Sequence, residues 1–348
     1  MKPHYPILDG LRGTAAILVI IFHLVEAHFH VFANHPIHHG YLAVDFFFLL
    51  SGFVVGYAYD DRWGQGGMSL WDFFKIRLIR LHPLVILGAL IGAICFWLDP
   101  YTNGFVHVGF LKLIGVTVMS FTLLPTPDIR GWGETYSLNG PAWSLFQEYI
   151  ANLIYGLFGR KMSLYILIGI VAISGITLTS VAVNRGDVAT GWGYETFWIA
   201  VTRMMFPFFA GLLLFRSGKL IRIYNAYTVC SLLLIVLFCL PTTQYNGWYE
   251  SACIIIAFPV IVAAGAGGQI SGRWAKLCKF SGDISYPLYI LHYPFIYIYT
   301  AWVEVEKPSP AQSVPIACAL LVFLILLAYA ALKLYDEPAR AWLKKSFR

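Results

Sequence analysis

An arginine and a histidine share the first apolar stretch of the chain, "LDGLRGTAAILVIIFH", Leu8 to His23. Arg12 stands at its mouth and His23 deep inside it. Eleven residues separate them, which in a helix is three turns plus about 20°, so both fall on one face, about 16 Å apart along the axis. A guanidinium grips an anion through paired N–H bonds, and an imidazole exchanges a proton near neutral pH. The pair therefore offers anion binding at the mouth and proton handling at the depth of mid-span. The plainer alternative makes Arg12 a snorkelling anchor and His23 a hydrogen-bond partner for a neighbouring helix.

Other ionisable residues interrupt apolar runs, where they cost several kcal/mol and usually face a cavity or a partner. "FFKIRLIRLHP" supplies Arg77 and Arg80, one turn apart on one face, a spacing that suits a phosphate or pyrophosphate. Taken alone, simple anchoring by positive charge explains these two better. "YLAVDFFFLLSGFVV" places Asp45 near the outer end of the second run, followed by Ser51-Gly52, where a missing side chain permits close helix approach. In "NGPAWSLFQEY", Pro141 suits a first helical position, Trp143 an interface, and Ser144 and Glu148 share a face at i, i+4. Glu148 is expected a turn or two inside the outer boundary. Arg203 enters its run from that same side and is the natural partner for Glu148 or Asp45, the alternative being a purely structural ion pair. "GDISYPLYILHYP" carries Tyr286 and His292, the histidine at about the depth of His23. His28, His30, His35, His38 and His39 cluster in one stretch, but without acidic or Cys partners at ligand spacing they read as solvated loop residues rather than a metal site.

These groups need elements to hold them. The 348 residues are 59% hydrophobic and only 12% charged, and mean hydropathy is +0.69. That is far too little charge to cover a soluble surface, so a polytopic, all-α membrane protein is expected, with residues 1–348 as a single domain. The net charge of +6 reflects basic loops and does not indicate nucleic acid. Cys95, Cys230, Cys239, Cys253, Cys278 and Cys318 are scattered without paired spacing, so neither a disulfide framework nor a zinc site is indicated. The first apolar run lacks a small-x-small cleavage pattern and reads as a retained helix.

Apolar segments lie near 13–32, 41–59, 79–97, 105–124, 142–158, 163–183, 196–216, 221–240, 250–267, 284–302 and 313–334. Basic clusters at 62–80, 216–222, 273–279 and 340–348 put those connections in the cytoplasm. Counts from the two ends then disagree by one crossing, at the segment with His107 and Lys112. Segment 105–124 is accordingly expected to be re-entrant or interfacial, leaving about ten transmembrane helices with both termini cytoplasmic.

Taken in order, the motifs resemble the acyltransferase-3 family of integral-membrane acyltransferases. "LRGTAAILVIIFH" is similar to its Arg-x10-His signature, "AVDFFFLLSGF" to the segment that follows, and "RLIRLHP" to its Arg-x-x-Arg element. "NGPAWSLFQE", Arg203 with "FFAG", "ISYPLYILH" and "DEPAR" complete the pattern over nearly the whole chain. The resemblance implies a bacterial inner-membrane enzyme that moves an acyl group, commonly acetyl, from cytoplasmic acyl-CoA to a hydroxyl of a surface carbohydrate or similar glycosylated acceptor.

On that reading Arg12, Arg77 and Arg80 bind the coenzyme phosphates. His23 is general base or transient acyl carrier, with Asp45 and Glu148 completing the catalytic set. Ser144, Trp143, Arg203, His292 and Tyr286 contact substrate. No metal is called for, and no cofactor is permanently bound. Some relatives append an SGNH-type extracytoplasmic domain. This chain runs only about a dozen residues past its last apolar run, so the expectation is direct transfer or a separate extracytoplasmic partner. A transporter of a small anion or glycan is the competing class, but the matched broken segments of an inverted repeat are not visible. An acyl relay that needs a partner transferase is the third.

Overall fold

The computed structural model describes residues 4–29, 35–64, 67–102 and 104–347, and among them the regular elements are helices. In chain order the first are α1 (Pro6–Glu26), α2 (Ala43–Gly64), α3 (Leu70–Leu98), the short α4 (Gly104–Val108) and α5 (Phe110–Phe121). Then come α6 (Ala142–Leu157), α7 (Leu164–Arg185), α8 (Ala200–Ser217), α9 (Ala226–Cys239), α10 (Asn246–Ala252) and α11 (Phe258–Gly267). The last are α12 (Gly272–Leu291), α13 (Tyr293–Glu306), α14 (Pro310–Ala331) and α15 (Glu337–Ser346). Seven helical stretches among the described residues are long and apolar enough to cross a membrane: α1, α2, α3, α7, α8, α10 with α11, and α14 running on into α15. Shorter apolar helices stand beside them, and the protein is a polytopic membrane protein.

α1 starts and ends earlier than the apolar run suggests. Pro6 suits the first turn, and Ile7, Leu8 and Leu11 are buried, extending the helical stripe back past Arg12. The helix ends at Glu26, so His23 occupies its last turn rather than its middle. This corrects the expected midplane position. A hydropathy window reads Asp9 and Arg12 as a break, whereas their i, i+3 spacing puts both on one side of the helix and leaves the buried face intact.

Segment 105–124 is split in two. Gly109, at φ 75°, separates α4 from α5, and the 12 residues of α5 reach only about 18 Å against a hydrocarbon core of about 30 Å. α5 is too short to span alone and packs on α3.

α12 begins well before the expected 284–302, because its first half is helical but polar, carrying Arg273, Lys276, Lys279 and Asp283. It breaks at His292, where Pro294 starts α13. The freed carbonyl of Ile290 accepts a hydrogen bond from Asn139 Nδ2 at 2.8 Å, so the "NGP" loop caps the break.

Two close crossings fix the geometry of the site. A methyl group on Gly52 would overlap the Phe208 carbonyl, and one on Gly211 that of Leu49, so α2 and α8 touch backbone to backbone. Gly13 meets Ser281, and Gly282 meets Asp9, which brings α1 against α12 in the same way.

Candidate functional site

Two cavities enter the bundle from opposite ends of α1. At the basic end, a cavity of about 340 Å³ is lined by residues of α1, α2, α3, α6, α12 and the α14–α15 rim. The α1–α12 crossing holds Arg12: its Nε donates to Ser285 Oγ at 2.8 Å, and Nη2 donates to the Gly282 carbonyl at 2.8 Å and to Asp9 Oδ1 at 3.1 Å. Arg77 Nη2 donates to Glu148 Oε1 at 2.6 Å, and Ser51 Oγ donates to the same oxygen at 2.9 Å. Tyr286 lines this cavity and donates to the Leu81 carbonyl at 2.6 Å.

The charges here nearly cancel in pairs. Lys279 meets Asp283 at 2.7 Å, Lys333 meets Glu337 at 2.5 Å, and Arg340 meets Asp336. Arg80 is the exception. It lines the cavity, is solvent-exposed, and makes no hydrogen bond or ion pair with a described residue. An unpaired guanidinium flanked by those of Arg12 and Arg77 is what an incoming phosphate needs. Glu148 belongs to this basic end. The sequence reading put it with outer carboxylates; its ion pair with Arg77 places it beside the anion-binding residues instead.

At the other end, a cavity of about 410 Å³ contains His23, Glu26, Trp143 and Arg203, with Trp132 and Trp192 among its walls. His23 Nδ1 and Glu26 Oε2 are 2.8 Å apart. A carboxylate only accepts, so Nδ1 carries the hydrogen and Nε2 keeps its lone pair. His23 and His292 stack with ring centroids 5.7 Å apart at 28°. His292 Nδ1 lies 2.7 Å from the Tyr289 carbonyl, while its Nε2 is buried without a partner.

Asp45 does not touch His23. It takes a two-pronged pair from Arg203, Nε to Oδ1 at 3.1 Å and Nη2 to Oδ2 at 2.6 Å, with both residues buried. The remaining Arg203 donors go to the Thr190 carbonyl at 2.9 Å and the Tyr41 carbonyl at 3.2 Å, and its plane lies over Trp143. A guanidinium so fully engaged holds the α2–α8 crossing and the Trp143 wall. The carboxylate that orients His23 is Glu26, three residues on along the same helix.

Two of the described histidines in this stretch are not solvated, and His28 and His38 are half-buried. His35 and His39 are buried, His35 Nε2 against the Phe22 carbonyl at 3.1 Å and His39 Nδ1 against Glu250 at 3.1 Å. His28 Nε2 meets the Tyr299 hydroxyl at 2.8 Å, and His30 lies outside the described residues. These histidines cap helix ends and crossings, which loop composition could not reveal. Among the described residues no three His, Cys, Asp or Glu side chains converge as a metal requires.

Two site residues escape sequence reasoning. Glu134, in the 122–141 connection outside the spanning helices, lines the histidine-end cavity and accepts from the Tyr297 hydroxyl at 2.5 Å. Burial pushes its carboxyl up to about 7, despite that hydrogen bond and nearby Arg130. Tyr289 lines both cavities and sits three residues before His292, on the same helix face. That i, i+3 relation is the one sequence signal pointing to it. Glu134 has none, since nothing local shows that the loop folds back over α13.

The arrangement offers an anion cradle at one end and an oriented imidazole at the other, about 16 Å apart along α1. Comparison with known proteins identifies relatives of the chain. "Protein 2 in picA locus" of Rhizobium radiobacter is 34% identical over 182 residues, which are 49% of this chain and 91% of that protein. The peptidoglycan O-acetyltransferase OatA of Listeria monocytogenes is 25% identical across 88% of this chain, which spans about half (52%) of that protein's length. The acyltransferase MdmB of Streptomyces mycarofaciens is 28% identical over 84% of this chain and 79% of its own. No solved structure matches. The family model described as an acyltransferase domain matches residues 5–333, and the chain therefore belongs to the acyltransferase-3 family of membrane acyltransferases.

Proposed function

We propose that the protein is an O-acyltransferase of the bacterial inner membrane. It moves an acyl group, commonly acetyl, from cytoplasmic acyl-CoA to a hydroxyl of a surface carbohydrate or similar glycosylated acceptor. The observation that carries this reading is the pair of cavities meeting at one wall, one with an unpaired Arg80 and one with an oriented His23. A peptidoglycan O-acetyltransferase among the relatives supports O-acetyl chemistry.

In this reading α1, α2, α3, α6, α7, α8, α9, α10–α11, α12–α13 and α14 make ten crossings, with both termini and the basic cavity facing the cytoplasm. Arg80, with the spare N–H groups of Arg12 and Arg77, holds the coenzyme phosphates. His23 Nε2 takes the proton of the acceptor hydroxyl, and Glu26 stabilises the imidazolium through Nδ1–H. The acceptor oxygen attacks the thioester carbon, a C–O bond forms, the C–S bond breaks, and the proton passes to the departing coenzyme sulfur. The aromatic walls and Glu134 suit a sugar ring, whose faces stack on indoles and whose hydroxyls bond carboxylates.

The test supplies acyl-labelled acetyl-CoA to inside-out vesicles and scores base-labile ester on glycan. His23→Ala should cut transfer by about 10²- to 10⁴-fold at unchanged protein abundance. Retained activity in that variant would sink the assignment. Movement of unmodified solute without ester formation would favour transport.

A further inference from the structure

We propose that the hydrogen-bonded pair of Tyr289 and Ser144 closes the passage through which the donor's thioester arm reaches His23, and that its width restricts the donor to short acyl chains. The proposal rests on the functional reading above and names the donor class for that site.

Among the described residues, Val44 and Tyr289 alone line both cavities. Between the two lies a thin wall. Its α6 side is the first turn of that helix, with Ser144 facing the basic cavity and its neighbour Trp143 facing the histidine cavity. The Tyr289 hydroxyl and Ser144 Oγ are 2.7 Å apart. Ser144 Oγ also lies 2.9 Å from the Pro141 carbonyl, to which it donates, so the Tyr289 O–H is the donor within the pair. One neutral hydrogen bond thus shuts the wall, and the same O–H is free to turn toward a thioester carbonyl oxygen once an arm enters.

Tyr289 is held on its other sides. Phe47 packs edge-on against its ring at 5.4 Å, and the His292 Nδ1–H bond fixes its carbonyl. Val44 and Phe47 make the remaining wall apolar, which matches methylene groups and a small acyl terminus. Phosphates at the level of Arg12 and chemistry at the level of His23 stand about 16 Å apart along α1, the span that the pantetheine arm has to bridge. The wall between the two cavities holds the Tyr289–Ser144 pair.

The test compares acetyl-CoA with hexanoyl-CoA as donor for the full-length protein in vesicles. Tyr289→Ala should raise the hexanoyl-to-acetyl ratio of kcat/KM by about tenfold or more, as pocket discrimination among methylenes predicts. Tyr289→Phe, which keeps the ring, should retain the parent preference. The readout is a ratio, so partial loss of folded protein leaves it unmoved. An unchanged ratio in Tyr289→Ala overturns the proposal.

A second measurement does not need activity. The introduced thiol of Ser51→Cys, in the basic cavity, should react with a small anionic membrane-impermeant methanethiosulfonate reagent applied from the basic end alone, read against the parent's own six cysteines. Adding Tyr289→Ala should open it to reagent from the histidine end as well. Continued protection there would place the barrier elsewhere and defeat the proposal. A protein that transfers nothing from any acyl-CoA would overturn the functional reading instead, and the labelling would still decide the passage.

Discussion

The basic-end and histidine-end cavities are close in size but opposite in construction. The first is walled by long cations from α1, α3, α12 and the α14–α15 rim, most already paired with a carboxylate, so that Arg80 is left as its uncompensated charge. The second is walled by indoles and phenols, with Glu26, Glu134 and Glu304 as carboxylates and its guanidinium, Arg203, consumed by Asp45. The first therefore offers charge to a ligand, and the second offers aromatic faces and hydroxyl-bonding groups.

Breaking the imidazole's support should have the largest effect. Glu26→Gln keeps the side chain's size but removes the carboxylate that accepts from His23 Nδ1 and stabilises its imidazolium. A drop in kcat of about 10³-fold is expected, with the KM for acyl-CoA unchanged. Equal rates in the variant and parent would mean that the His23–Glu26 pair is structural.

Next comes the pH response. Burial raises the Glu134 carboxyl from its usual 4.5 to about 7, so the folded protein holds that proton more tightly than the unfolded chain. The stability this group contributes is complete below about pH 4.5 and is lost as pH rises through about 7, up to ~3 kcal/mol in total. Thermal unfolding in detergent should therefore show the parent losing stability between pH 5 and 8 relative to Glu134→Gln, which still accepts from Tyr297. Parallel pH curves would assign the titration elsewhere.

The smallest effect belongs to the cradle. Arg80→Ala should raise the KM for acyl-CoA about tenfold with kcat retained, the value of one charge-assisted contact. Added salt should weaken donor use in the parent more than in this variant, because screening acts on the exposed charge. Loss of kcat without a change in KM would move Arg80 out of donor binding.

Legibility in the sequence was uneven for physical reasons. Residue type and position group Arg12, Arg77 and Arg80 at one mouth, and the fold collects them in one cavity. Run position sets His23 and His292 at one depth, and their rings stack. The pairing of Arg203 was narrowed to Asp45 or Glu148, and only packing chose Asp45. Glu148 is expected a turn or two into its helix and lies in the second turn of α6, but hydropathy says nothing about which neighbour's cation reaches it, and packing brings it to Arg77. The position expected for His23 along α1 fails because a hydropathy window discounts the polar first turns that a buried stripe carries.

What the sequence alone determined is local. Apolar run lengths, the face shared by Arg12 and His23, the Gly-permitted approach at Ser51-Gly52 and the motif order all follow from 1.5 Å and 100° per residue, whatever surrounds the helix. What only the tertiary structure decided is which groups meet. The α1–α12 and α2–α8 crossings, the return of the 122–141 loop over α13 and the break at His292 set Glu134 and Tyr289 around the chemistry, whereas Glu26 meets His23 by the local i, i+3 spacing of α1. Contacts between residues far apart in sequence depend on the packing of the whole bundle, and no local spacing encodes them.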